Sequence, residues 1–211
     1  MPIDEVSTNS GRLTLFMCGD VMTGRGIDQV LPHPGDPVLY EPYMRSAAGY
    51  VELAEKANGP IPKPADFSYI WGDALAEWER VSPDVRIINL ETSVTASGEY
   101  WRGKGINYRM HPKNISCITA AKIDCCSLAN NHVLDWGYAG LAETLETLDK
   151  AKVERAGAGR NDEEAGGAAR ERIDERDLEG FARRRSRQRG ESHRNERKRL
   201  QRNSAPHVDL P

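Results

Sequence analysis

Three short apolar runs, each stopping abruptly at polar side chains suited to metal or phosphate, constrain this chain most. Residues 12–18 (Arg-Leu-Thr-Leu-Phe-Met-Cys) end at Gly19-Asp20, residues 85–90 at Glu91, and residues 123–128 at Ala129-Asn130-Asn131-His132. Each reads as a buried strand feeding a loop. Helical patterns separate them. Asp66 to Arg80 reads as a helix with Trp71, Leu75 and Trp78 on one face. Pro112 to Ala121 suits a helix with proline near its start. Gly137 to Lys152 is a strong helix with Leu141, Leu145 and Leu148 as its buried stripe, and a short strand starts near Val153. Residues 32–64, rich in Pro and Gly, form a long excursion in which Tyr50 to Ala57 suits a short helix. Strand, loop and helix in repeated order predict an α/β domain with largely parallel strands and flanking helices.

In such sheets ligands gather beyond the C-terminal strand ends. If the three strands are parallel neighbours, Asp20, Glu91, Asn131 and His132 converge on one rim. Carboxylate, amide and imidazole donors together suit a divalent ion such as Mn, Mg, Fe or Zn. Two such ions about 3.5–4 Å apart can polarise a phosphoryl oxygen and generate a hydroxide nucleophile. Each residue also has a plainer reading. Asp20 fits a turn or cap, Glu91 a cap of the next segment, and Asn130-Asn131 a turn with left-handed asparagines. Asp135 suits the cap of the helix beginning near Gly137, with metal binding as its alternative. In the loop from Asp20 to Gly26, Gly24 and Gly26 relieve backbone strain and allow close approach of a ligand.

The motifs weigh against the plainer readings. Gly19-Asp20-Val21-Met22-Thr23-Gly24-Arg25 resembles the G-D-[VI]-M-x-G-R opening of CapA-type proteins of poly-γ-glutamate capsule biosynthesis. Asn89-Leu90-Glu91-Thr92-Ser93-Val94-Thr95 resembles that family's N-L-E-x-x-[LV]-T segment. Residues 128–137 resemble L-A-N-N-H-x-x-D-x-G, and Tyr108-Arg109 with Pro112 is similar to an intervening F-[RK]-x-x-P pattern. The resemblance covers residues 12–160 and implies part of a calcineurin-like metallophosphoesterase fold. By that resemblance Asp20 matches the first metal ligand, Glu91 the bridging carboxylate, Asn131 the second-metal amide, and His132 the histidine that contacts or protonates the phosphate leaving group. Met22 stands where the wider superfamily often has a ligating His. Arg25 is a candidate substrate clamp, since a guanidinium grips phosphate or carboxylate bidentately, with a structural salt bridge as its alternative. The substrate implied is phosphate-containing or polyglutamate-related.

Composition breaks near residue 160. Residues 161–211 hold twelve Arg against one Lys, with 11 acidic residues and six large apolar ones. So few apolar groups do not offset the entropy of ordering such a stretch, which reads as a disordered tail or as a frameshifted translation of a longer frame. The late G-x-H-x-H-like motifs implied by the resemblance are missing; His193 and His207 follow no apolar strand. The run Arg183 to Arg189 could hold phosphates non-specifically, but neither part of the chain is basic enough for a dedicated nucleic-acid binder. Cys18, Cys117, Cys125 and Cys126 fit neither a zinc pair nor a disulfide framework. Cys125 and Cys126 suggest buried thiols on a strand. No signal-peptide core and no membrane-length apolar run is seen, which reads as a cytoplasmic protein, although many relatives are envelope-associated. Two further expectations stand beside the hydrolase: a catalytically silent scaffold remnant, and a half-sheet too exposed to fold stably.

Overall fold

The computed structural model describes residues 13–167. The expectations for the Arg-rich run and the frame beyond residue 167 therefore lie outside the described residues. Strands β1 (Leu15–Val21), β2 (Val85–Leu90), β3 (Ser93–Val94), β4 (Arg109–Met110), β5 (Cys125–Ser127) and β6 (Glu154–Ala156) form two sheets. The main sheet runs β1-β2-β5-β6 with every pairing parallel, and β3 pairs with β4 in a small second sheet. The helices are α1 (Arg25–Val30), α2 (Ala47–Asn58), α3 (Ala74–Val81), α4 (Ser116–Ala120), α5 (Gly137–Ala151) and α6 (Asp162–Gly167). The α/β class and the parallel order agree with the sequence reading.

One face of the main sheet carries the core. Ile88 and Leu90 of β2 and Cys126 of β5 are fully buried, packed with Leu145 and Leu148 of α5, Ile118 of α4 and Trp78 of α3. Leu141, Leu145 and Leu148 recur at spacings of four and three, which sets them on one stripe of α5. That helix stops where Lys152 turns left-handed at φ 58° and returns its N–H to the carbonyls of Leu148 and Asp149. Gly140 lets α5 approach closely: an added Cβ would lie 2.6 Å from that of Trp136 and 3.4 Å from Thr95 Cγ2.

The other face is bare. Register partners in a parallel pair share a face, so Leu15 aligns with Val85, and Met17 with Ile87 and Cys125, on the side opposite Ile88. None of these five belongs to the core, and Leu15 and Met17 are 50% and 67% exposed. The expectation that residues 12–18 form a buried strand is therefore corrected. The apolar pattern is real, but no layer among the described residues covers it. Each such side chain left in water forgoes about 1.5–3 kcal/mol of burial. Phe16 points the other way and packs its ring 4.6 Å from that of Trp78.

Other differences are local. The helix expected from Asp66 to Arg80 is broken into a 3₁₀ turn (Tyr69–Trp71) and α3, because Gly72 adopts φ +50° between them. Trp71 and Trp78 still meet, with centroids 5.3 Å apart. The Pro112 segment starts as a 3₁₀ turn before α4. Cys126 is buried as expected, whereas Cys125 lies half-exposed on the bare face. Residues 162–167, assigned by composition to the tail, form α6, held by Ala165 N–H to Asn161 O and by Arg155 against Glu164.

Candidate functional site

The C-terminal ends of β1, β2 and β5 lie side by side, as three parallel neighbours must. Between β1 and β2 the register slips by one residue at Gly19, so Cys18 aligns with Ile88 but Asp20 with Asn89. Asp20, Asn89 and Glu91 consequently share the bare face. The Asn89 amide donates to both carboxylates, at 2.7 Å to Asp20 Oδ1 and 2.8 Å to Glu91 Oε2. Two carboxylates from neighbouring strands thus converge on one point, which a neutral N–H donor fills.

The loop after β5 supplies the imidazole. Asn130 donates from Nδ2 to Asn89 Oδ1 (3.0 Å) and to Leu90 O (2.9 Å), while its own Oδ1 accepts from His132 N (3.0 Å). His132 is buried, with Nε2 3.7 Å from Glu91 Oε1. Its Nδ1 lies 2.6 Å from Asp135 Oδ2. An ionised carboxylate only accepts, so Nδ1 carries the proton and Nε2 faces Glu91. The Tyr108 ring stacks on the imidazole at 4.0 Å.

Asp135 is not the helix cap. Trp136 occupies that position without any side-chain cap bond, and the fully buried Asp135 carboxylate is turned inward instead. There it accepts from Tyr108 N (2.6 Å) and pairs with Lys104 Nζ, which also donates to Asn131 O. The left-handed turn at the asparagines is likewise absent; neither Asn130 nor Asn131 has positive φ. Sequence reasoning weighs Asp135 only as a cap or a metal ligand, and it misses Lys104, Asn89 and Asn130 as site residues. Asn89 and Asn130 sit inside the recognised motifs, whereas Lys104 lies in a Gly-rich loop with no sequence signal.

The expected residues are thus placed unequally. Asp20, Glu91 and His132 are joined through Asn89 and Asn130. Asn131 is exposed, and its side chain makes none of these bonds. Arg25 is the first residue of α1 at φ 50°, so this loop's left-handed position falls on the arginine rather than on Gly24 or Gly26. Gly24 serves close packing of a different kind, since an added Cβ would meet the Arg109 carbonyl at 2.9 Å. Arg25 donates from Nε to Glu41 Oε1 at 2.6 Å and lies over the rings of Tyr50 and Tyr108. Burial opposes its charge, but Glu41 and the two tyrosines raise its pKa on balance. Burial and the bond to Glu41 hold the Tyr50 phenol well above its usual range. Arg25 Nη2 is buried without a hydrogen-bond partner.

Among the described residues no three His, Cys, Asp or Glu side chains stand in metal-binding array. The side chains gathered at the rim are two converging carboxylates and an imidazole facing one of them.

The family described as "Bacterial capsule synthesis protein PGA_cap" matches residues 14–210, a span that continues through the Arg-rich stretch the motifs do not reach. The chain is 52% identical over 151 residues to a "Probable polyglutamine synthesis accessory protein" of Mycobacterium tuberculosis, covering 72% of this chain and 40% of that relative. It is 21% identical over 150 residues to "Capsule biosynthesis protein CapA" of Bacillus anthracis, and 24% over 148 to "PGA biosynthesis protein CapA" of Bacillus subtilis. Those two are matched over 29% and 30% of their lengths. The chain therefore spans well under half of the curated relatives it matches.

Proposed function

This chain belongs to the bacterial capsule synthesis family PGA_cap, whose fold is metallophosphoesterase-like, and on that premise we propose that it carries the acidic half of a metal-dependent phosphoester-hydrolase site serving capsule or polyglutamate synthesis. One observation carries the reading: Asp20 and Glu91, from adjacent strands, are close enough to share a single Asn89 amide. Carboxylates brought so near repel unless a positive group or donor lies between them.

Asp20, Glu91, Asn131 and His132 are the residues that would hold or border one or two divalent ions. Bound there, such ions supply charge neutralisation at a phosphoryl oxygen and an activated water. The chain's own residues do the rest. Asp135 fixes the ring of His132 through Nδ1–H, so Nε2 accepts a proton in the neutral imidazole and, once the ring is the imidazolium, gives that proton to a leaving oxygen. Lys104 balances the buried Asp135 charge. Tyr108 holds the imidazole plane by stacking. Arg25, whose Nε is committed to Glu41, keeps Nη2 for a substrate phosphate or carboxylate oxygen.

A phosphodiester assay on the purified chain with Mn²⁺, alongside measurement of bound metal, tests this. Metal-dependent turnover that falls at least about 100-fold in both Asp20→Ala and His132→Ala supports the hydrolase. A second reading is a catalytically silent scaffold, favoured by the lack of a three-ligand cluster among the described residues. No bound metal and no turnover in the folded chain would establish that reading instead.

A further inference from the structure

We propose that the hydroxyl of Tyr108 contacts the substrate, donating a hydrogen bond to a non-bridging oxygen of the phosphoryl group whose leaving oxygen His132 serves. The inference takes its ligand class from the hydrolase reading above, and its test separates failure of the one from failure of the other.

Tyr108 is held by contacts that need no hydroxyl. Its N–H donates to Asp135 Oδ2 at 2.6 Å, and its carbonyl accepts from Trp136 Nε1 at 2.9 Å. These two main-chain bonds flank the side chain and tie it to the segment that carries His132. The ring then stacks on the imidazole, with centroids 4.0 Å apart and planes 27° from parallel. The Arg25 guanidinium lies over the same ring, 4.8 Å from its centre. A phenylalanine would make every one of these contacts.

The hydroxyl is therefore surplus to the packing. Among the described residues it has no hydrogen-bond partner, and it stays open to solvent, unlike the sealed Nη2 of Arg25. Tyr50, the other ring beside Arg25, spends its hydroxyl on Glu41. Of the two phenols that flank the guanidinium, only the one beside His132 keeps its O–H unspent.

Its place decides what it can bind. A phenol oxygen lies one bond beyond its ring, so this one sits within a ring's breadth of both the imidazole and the guanidinium. Asp20 and Glu91 offer only acceptors once ionised, so an oxyanion brought to this rim takes its hydrogen bonds from other side chains. A hydroxyl donating to a charged oxygen makes a short bond, roughly twice as strong as a neutral one. Arg25 contributes charge and Tyr108 a fixed donor, held in place by the stack that also fixes His132.

Tyr108→Phe removes one oxygen and leaves the stack, the main-chain bonds and the arginine contact in place. Inorganic phosphate, titrated calorimetrically into the full 211-residue chain with Mg²⁺, should bind this variant at least about fivefold more weakly than the wild type. Tyr138→Phe, on a ring 74% exposed at the start of α5, should leave phosphate affinity unchanged. In the phosphodiester assay with Mn²⁺, Tyr108→Phe should lower kcat/KM at least about tenfold. Phosphate binding that weakens in Tyr108→Phe, in a chain without turnover, would uphold the contact and sink the hydrolase. Equal phosphate affinity in wild type and Tyr108→Phe, or no phosphate binding at about 20 mM, would overturn the proposal even in an active enzyme.

Discussion

The fully buried carboxylate of Asp135 accepts a hydrogen bond from Nδ1 of His132 at 2.6 Å, across three residues of chain. The same carboxylate takes the Tyr108 N–H and the Lys104 ammonium, so one side chain ties the loop after β5 to the loop before β4.

Asp135→Ala should therefore destabilise the chain by about 2–4 kcal/mol, because it leaves a partly buried lysine uncompensated and a backbone N–H without its acceptor. Asp135→Asn keeps an acceptor for Tyr108 and should cost less. Urea unfolding with an unchanged slope checks both.

Asn89 separates Asp20 from Glu91, and its removal exposes their repulsion. Asn89→Ala should lower stability by about 1–2 kcal/mol in chelator, since the bond to Asn130 is lost as well. Millimolar Mn²⁺ should restore part of that loss by binding the folded state. Thermal melts with and without the ion read the difference; equal melts would mean that the carboxylates do not share a cation.

On an open helix surface Gly→Ala gains about 1 kcal/mol of helix propensity. Gly140→Ala should go the other way, costing about 1–3 kcal/mol, because the new methyl meets the Trp136 Cβ at 2.6 Å with Thr95 behind it. The denaturation midpoint measures the sign directly.

Glu164 sits below the ordinary glutamate range, held there by the Arg160 backbone N–H and by the Arg155 and Arg160 guanidinia. A depressed folded pKa means that its contribution is complete above the unfolded value and is lost as pH falls through the folded one. Stability should thus decline on acidification below about pH 4.5, and Glu164→Gln should flatten that limb. Unfolding curves across pH 3–6 (a window of about three units around the carboxylate range) compare the two.

Much of the fold was legible because periodicity encodes it. Leu141, Leu145 and Leu148 mark α5, and the Val85-to-Leu90 run marks β2 to the residue. The rim holding Asp20, Glu91 and His132 followed from three strands ending in polar groups. What periodicity cannot report is which layers are present to cover an apolar run, and β1 reads as buried for that reason. Nor does it tell a cap from a buried acceptor: Asp135 precedes a helix, as caps do, but its orientation is set by Lys104 and Tyr108 across the site. The choice between Asn130 and Asn131 turns on the path of a single loop. The break at Gly72 was written in the sequence, but the apolar face of Trp71 and Trp78 runs straight through it.

The slipped register at Gly19 fixes the phase of everything beyond it. Were Gly19 paired with Asn89 instead of skipped, Asp20 would align with Leu90, and its charge would swing to the face that carries the core. A chain of this kind can trade side chains along β1 more freely than it can trade length. With the slip at Gly19 kept, a single-codon insertion or deletion between Leu15 and Cys18 would send the acid to the wrong side of the sheet while leaving every motif letter intact.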